Sequence, residues 1–340
     1  ERFDRELWAK LCEAGLPGVA APESVGGMGF GFMEVALVAE ECGRTIAAVP
    51  WIPHVVGGIL PLVIAGSAAQ RERLLPDALR GEPLLTAALE EMPATEPGAP
   101  AATAVADGEG WRVSAQKVAV PFAGEAHRVL VGARTADGVV ALLVDPRAAG
   151  ARLTPIRSTA FEPQSLLELE AVRVPPEDVL AGPAAGAALL ERVARHLSAA
   201  LCMHQVGVTD AMMRMTASYT TERKQFGVPI ATFQAVGHRA ANCFIDVECL
   251  RLTAYEAASL LAEGRDASVE VDIAKVWAGD TGHRVSYAAQ HLHGGAGVDR
   301  GNALWRFCLW ARHNEMTLGS SARTLARLGQ RCGNGEAQVA

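Results

Sequence analysis

Between Leu84 and Val174 the chain leaves helical periodicity, and that switch limits the folds open to it more than any other feature. Leu84–Leu89, Trp111–Val113, Val118–Val120, Arg128–Val131, Val139–Val144 and Leu166–Val174 are short, β-prone segments punctuated by Gly, Pro and Asp. They predict a middle β-domain over residues 85–183, with the Pro/Ala-rich stretch Met92–Ala102 as a surface loop inside it. On either side the apolar spacing returns to three and four. Trp8, Leu11 and Cys12, and the run Met33–Cys42 with glutamates on one side, predict an N-terminal helical domain over residues 1–84. Val236, Ala240, Phe244, Val247, Leu250, Ala254, Ala258 and Leu261 mark a long helix with one face expected to be buried. Gly264 and Asp266 end that run, a further helix is expected over Val269–Gln290, and a last one from near Leu304. Long antiparallel helices joined by short turns predict a four-helix bundle over residues 184–340. The fold class is therefore α+β, ordered helices, sheet, helices, with no internal repeat.

Composition narrows the function classes. The net charge of −7 argues against a nucleic-acid partner, and an anionic ligand would need local Arg or Lys against that balance. No apolar run approaches the roughly 18–20 residues of a membrane helix, and no signal-peptide pattern opens the chain. The seven cysteines are scattered without a C-x-x-C, as expected of reduced thiols in a cytoplasmic protein. The Gly26–Gly31 run invites a dinucleotide reading, but the G-x-G-x-x-G register breaks at Phe32 and no strand–helix unit surrounds it.

Two segments carry the chemistry. Glu222-Arg223-Lys224-Gln225-Phe226-Gly227-Val228-Pro229-Ile230 is a charged turn after a helix, where basic residues also complement the helix dipole. Gln290-His291-Leu292-His293-Gly294-Gly295-Ala296-Gly297 is a Gly-rich turn that lets backbone approach a ligand. His291 and His293 lack a third ligand at sensible spacing, so no metal site is expected.

Together these segments resemble the flavin-contacting signature of the acyl-CoA dehydrogenase family, and the resemblance extends over essentially the whole chain. It implies a fold of N-terminal helices, β-domain and four-helix bundle, assembled as a dimer of dimers. It also implies that both turns reach across a dimer interface to FAD held by the neighbouring subunit. Arg223 would contact the pyrophosphate or adenine end, with Gln225 and Phe226 alongside and Gly294 and Gly295 forming the turn. The family's Gln before the paired glycines falls at His291, with Gln290 one position early, so either could touch the cofactor.

The family's own-subunit flavin wall is altered. Its Gly-Gln-Lys-x-Trp-Ile-Thr segment corresponds to Ala115-Gln116-Lys117-Val118-Ala119-Val120-Pro121. Ala119 stands where a Trp would stack, and Pro121 stands where a Thr would donate. The literal Thr95-Glu96-Pro97-Gly98 resembles a second family motif. Spacing from Lys117 points instead to Leu89-Glu90-Glu91-Met92.

Dehydrogenation of a thioester needs a carboxylate base, and the resemblance puts one at Glu315, in Asn314-Glu315-Met316-Thr317-Leu318-Gly319. The alternative is a solvated glutamate at a helix N-terminus. The family's second base position falls near His196–Ser198, where no carboxylate stands.

The expectation is an FAD-dependent acyl-CoA dehydrogenase subunit that completes a shared flavin site in a heterotetramer with a related partner subunit. Val120-Pro121-Phe122-Ala123 in place of Trp-Ile-Thr resembles actinobacterial enzymes acting on CoA esters of steroid side chains. An electron-transfer flavoprotein is the implied acceptor. A self-sufficient homotetramer using Glu315 on a fatty acyl-CoA, and a non-catalytic scaffold, are the alternatives.

Overall fold

The computed structural model describes residues 2–334. Helices come first: α1 (Arg5–Glu13), α2 (Phe32–Thr45), a buried π-helix over Trp51–Ile59, α3 (Leu60–Ala65) and α4 (Ala68–Ala78). Strands follow: β1 (Leu84–Ala88), β2 (Thr103–Asp107), β3 (Gly110–Pro121), β4 (Ala126–Arg134), β5 (Val139–Val144), β6 (Ala151–Arg157), β7 (Pro163–Val174) and β8 (Val179–Ala181). Helices resume with α5 (Gly186–Glu222), α6 (Gln234–Ala262), α7 (Ser268–His293), α8 (Leu304–Met316) and α9 (Ser321–Gly333), after a small hairpin of β9 (Lys224–Gln225) and β10 (Val228–Pro229).

The chain forms two compact units. One comprises the chain up to Val35 together with Ala48–Leu197, so the N-terminal helices and the sheet pack as one body. Its sheet runs β6-β7-β3-β2-β4-β5-β8, with β1 added in parallel to β4. Alternate residues such as Val113, Val129, Val131, Val140, Leu142 and Leu167 form its core. The π-helix lies against β1, where Gly57 and Gly58 leave room for Ala87 and Leu85. His54 is fully buried there, accepting from the Leu85 amide and donating to the Ala78 carbonyl, and burial pushes its pKa down to about 4.

The other unit comprises Ala36–Ala47 and the chain from Ser198 onward. In it α7 packs against α6, α8 and α9. The second half of α2 docks on α5, where a Cβ on Gly43 or Gly207 would strike the opposing backbone. Buried Glu40 and Asp210 at that crossing are both paired with Arg44 and Arg251.

Three expectations need correction. The stripe on α6 is buried at Val247, Leu250, Ala254, Ala258 and Leu261, but Phe244 is 55% exposed. Neighbouring Ile245 and Leu252 are exposed too, so apolar spacing marked a helix more faithfully than it marked burial. The last helical stretch is two helices, α8 and α9, broken at Thr317–Ser320. Glu315 consequently sits at the C-terminal end of α8, not at a helix N-terminus.

Candidate cofactor site

One end of the bundle unit gathers both signature turns. Helix α5 stops at Glu222, and the Arg223 amide still reaches back to the Tyr219 carbonyl at 2.8 Å. The chain then closes the β9–β10 hairpin, with Gln225 opposite Val228. Its two turn residues, Phe226 (φ 54°) and Gly227 (φ 82°), are both left-handed, the turn whose twist suits a two-residue hairpin. Glycine adopts that conformation freely, whereas an L-side chain there costs roughly 1 kcal/mol. Phe226 bears that strain with its ring 92% exposed, so the hairpin's own stability does not account for it. Arg223 and Lys224 are exposed, and neither forms an ion pair among the described residues.

Helix α7 ends at His293 because Gly294 (φ 59°, ψ −137°) takes a backbone conformation essentially reserved for glycine. A Cβ added at Gly294 or Gly295 would meet nothing within 4 Å, so both face outward. At Gly297 it would lie 2.7 Å from the Gln290 carbonyl oxygen; that glycine closes the turn onto its own helix. The Tyr219 ring stacks on His293 at 4.2 Å, and its hydroxyl donates to the His293 carbonyl at 3.2 Å. That contact ties the end of α5 to the end of α7, which brings the Arg223 hairpin and the Gly294 turn together. Gln290 is half-buried, while His291 is exposed and accepts a hydrogen bond at Nδ1 from Arg239 of α6.

The sheet unit treats its motif segment differently. Opposite β7, Lys117 pairs with Leu167 and Val120 with Ser165, leaving Val118 and Ala119 against Leu166 alone. This is a β-bulge, and it re-aims the strand at Ala119, whose φ is 51°. The Val118 amide donates to the Glu90 carbonyl at 3.0 Å, and the Pro121 carbonyl accepts from the Thr86 hydroxyl at 2.9 Å. Phe122 is buried, with its ring edge-on to Phe3.

Lys117 itself is buried and donates to Glu91 at 2.6 Å. Glu91 also accepts from the Thr95 hydroxyl at 2.6 Å and from the Ala101 and Ala102 amides at 2.6 and 3.1 Å. Burial alone would raise the Glu91 pKa and does pull Lys117 below its ordinary value. At Glu91 the hydrogen bonds from Lys117, Thr95 and Ala101 win, holding the carboxyl at about 2. Thr95, the first residue of the literal Thr-Glu-Pro-Gly, thus serves Glu91, which lies in the segment reached by spacing.

Glu315 is largely enclosed, and both its oxygens accept from Arg312, one turn earlier, at 2.6 Å. Buried Lys275 caps the end of α8, donating to the Asn314 and Glu315 carbonyls at 2.6 and 3.3 Å. Among the described residues no cluster of His, Cys, Asp and Glu is placed to hold a metal ion.

The bundle end fits the anionic half of a dinucleotide: exposed cations, outward glycines and an available ring donor at His291. The bulged sheet segment does not fit a flavin ring, because Ala119 offers no stacking surface, Pro121 no N–H, and Glu91 and Lys117 satisfy one another. The sequence pointed to Arg223, Gln225, Phe226, Gln290, His291, Gly294 and Gly295, and the structure brings the two segments that carry them to one corner. It adds Tyr219 and Arg239, which no motif marks. It also adds the Glu91–Lys117 pair, whose members lie in the quoted segments but whose contact only the fold creates.

The family model "Acyl-CoA dehydrogenase, N-terminal domain" matches residues 1–82, and "Acyl-CoA dehydrogenase, C-terminal domain" matches residues 184–333. The chain belongs to the acyl-CoA dehydrogenase family, oxidoreductases that act on acyl-CoA and bind FAD. It is 35% identical over 340 residues to the acyl-CoA dehydrogenase FadE27 of Mycobacterium tuberculosis, covering 97% of this chain and 88% of that one. The ChsE4–ChsE5 complex from the same organism superposes with a TM-score of 0.93 at 35% identity, covering 100% of this chain and 90% of that one. A variant of the Tcur3481–Tcur3483 steroid ACAD gives a TM-score of 0.91 at 38% identity, covering 99% and 90%.

Proposed function

We propose that this chain is the cofactor-completing subunit of a heterotetrameric, FAD-dependent acyl-CoA dehydrogenase. The observation that carries the proposal is the self-satisfied sheet segment: Glu91 and Lys117 are spent on one another, whereas Arg223 and Lys224 at the bundle end are exposed and form no ion pair among the described residues. The similarity to the ChsE4–ChsE5 complex and to a steroid ACAD supports a related partner subunit and a steroid side-chain CoA ester as substrate. Seven free thiols suit the cytoplasm, and an electron-transfer flavoprotein is the acceptor that the family implies.

In this reading Arg223 grips phosphate oxygens with its planar fork. Gln225 and Phe226 lie along the adenosine, and Gly294 and Gly295 let backbone close on the pyrophosphate. Bound FAD supplies the hydride acceptor for α,β-dehydrogenation. Arg312 already occupies both oxygens of Glu315, so the base is assigned to the partner.

The test is flavin absorbance per protomer, measured for this chain alone and co-expressed with its related subunit. One FAD per heterodimer, lost on Arg223→Ala, is the expected result. One FAD per chain in the lone protein overturns the shared site, and no flavin in the co-complex favours a scaffold. Glu315→Gln in the co-complex should leave dehydrogenation intact; abolished turnover would return the base, and the self-sufficient reading, to this chain.

A further inference from the structure

Arg239, on the first third of α6, has no carboxylate partner among the described residues; its side chain is spent on His291 Nδ1. A guanidinium can only donate and stays protonated, so Nδ1 must offer its lone pair. The ring is then neutral with its single proton on Nε2, and it makes no other hydrogen bond among the described residues. His291 lies on the last turn of α7, where its carbonyl accepts from the Gly294 amide. An exposed, unspent N–H donor therefore stands beside the two outward glycines.

We infer that Arg239 is a positioning residue for the shared cofactor site, fixing His291 as a neutral Nε2–H donor to the phosphate end of FAD. The inference rests on the proposed shared site. It favours His291 over Gln290 as the residue that faces the ligand, because His291 is exposed and its ring is held by Arg239, whereas Gln290 is half-buried. A neutral imidazole N–H replaces an amide N–H at that position. An amide needs no such fixing, since it always carries donors, whereas a neutral imidazole can place its proton on either nitrogen, and occupying Nδ1 as an acceptor fixes that proton on Nε2. Arg239 supplies that condition.

The test is a double-mutant cycle on FAD affinity in the deflavinated heteromeric complex, with the histidine tautomer read by 15N NMR of the 15N-histidine-labelled chain. His291 in the unaltered protein should show the Nε2–H pattern alone, and Arg239→Ala should mix in the Nδ1–H tautomer. Arg239→Ala should weaken FAD binding about tenfold, the scale of one hydrogen bond to a charged group. In a His291→Gln background, which replaces the ring by an amide, Arg239→Ala should cost nothing further. An equal loss in both backgrounds means that Arg239 meets the cofactor directly and overturns the inference. So does a His291 tautomer that ignores Arg239. Arg223→Ala in the same titration separates the two levels. Loss with Arg223→Ala but not with Arg239→Ala overturns this inference alone; no loss with either overturns the shared-site reading and this inference with it.

Discussion

Lys117 with Glu91 in the sheet unit, and Arg223 with His291 in the bundle unit, all stand at segments resembling flavin-family motifs, yet they are satisfied in opposite ways. The first pair is buried, and its carboxylate takes four protein hydrogen bonds. The second group is exposed, holds no carboxylate, and includes a ring donor with nothing to bind. Buried polar groups must be paired within the fold because an unpaired one costs about 1–3 kcal/mol. Exposed donors escape that demand, since water satisfies them until a ligand arrives. The difference separates chemistry the chain uses for its own folding from chemistry it can offer to another molecule.

The largest effect should come from breaking the internal pair. Lys117→Met leaves a buried carboxylate uncompensated and should cost about 3–5 kcal/mol in chemical denaturation. Replacing Glu91 by Leu as well should recover most of it. If the single variant is as stable as the parent, the pair is not what closes the sheet segment.

Acid should probe the same pair more gently. The Glu91 carboxyl is depressed to about 2 from an unfolded value of about 4.3. Its stabilisation is therefore complete above pH ~4.3 and lost as pH falls through about 2. The stability gap between the parent and Glu91→Gln should be constant near neutrality and narrow across that acid window. A gap that is flat down to pH 2 would contradict the depressed carboxyl.

The smallest effect belongs to the bundle end. Phe226→Asn removes a ring the hairpin does not bury and places a residue tolerant of left-handed backbone in the turn. Melting of the lone chain should shift by no more than the equivalent of ~0.5 kcal/mol, while flavin retention in the heteromeric complex falls. A large loss of thermal stability would mean that Phe226 serves the fold after all.

How far the sequence could be read depended on whether the deciding contacts were local. Val139–Val144 was legible to the residue, because a run buried along its whole length reads as an unbroken series of apolar side chains. The strands β2 and β6 were not, since both are largely exposed and β6 contains Pro155; pairing with β3 and β7 makes them strands. The π-helix at Trp51–Ile59 escaped too, as a uniformly buried helix has no polar face to set its period.

The sequence by itself determined the family, the order of helices, sheet and helices, and the positions of the Arg223 and Gly294 turns. Those are matters of local backbone preference and residue spacing. Only the tertiary structure decided that Lys117 finds Glu91, that Arg239 reaches His291 from another helix, and that Arg312 holds Glu315 at a helix end. A charged or ring nitrogen acquires its role from whichever partner lies within hydrogen-bonding distance. For two of these pairs that partner is set by packing across many residues of chain. For Glu315 the partner is close in sequence, and what spacing could not reveal was where α8 ends.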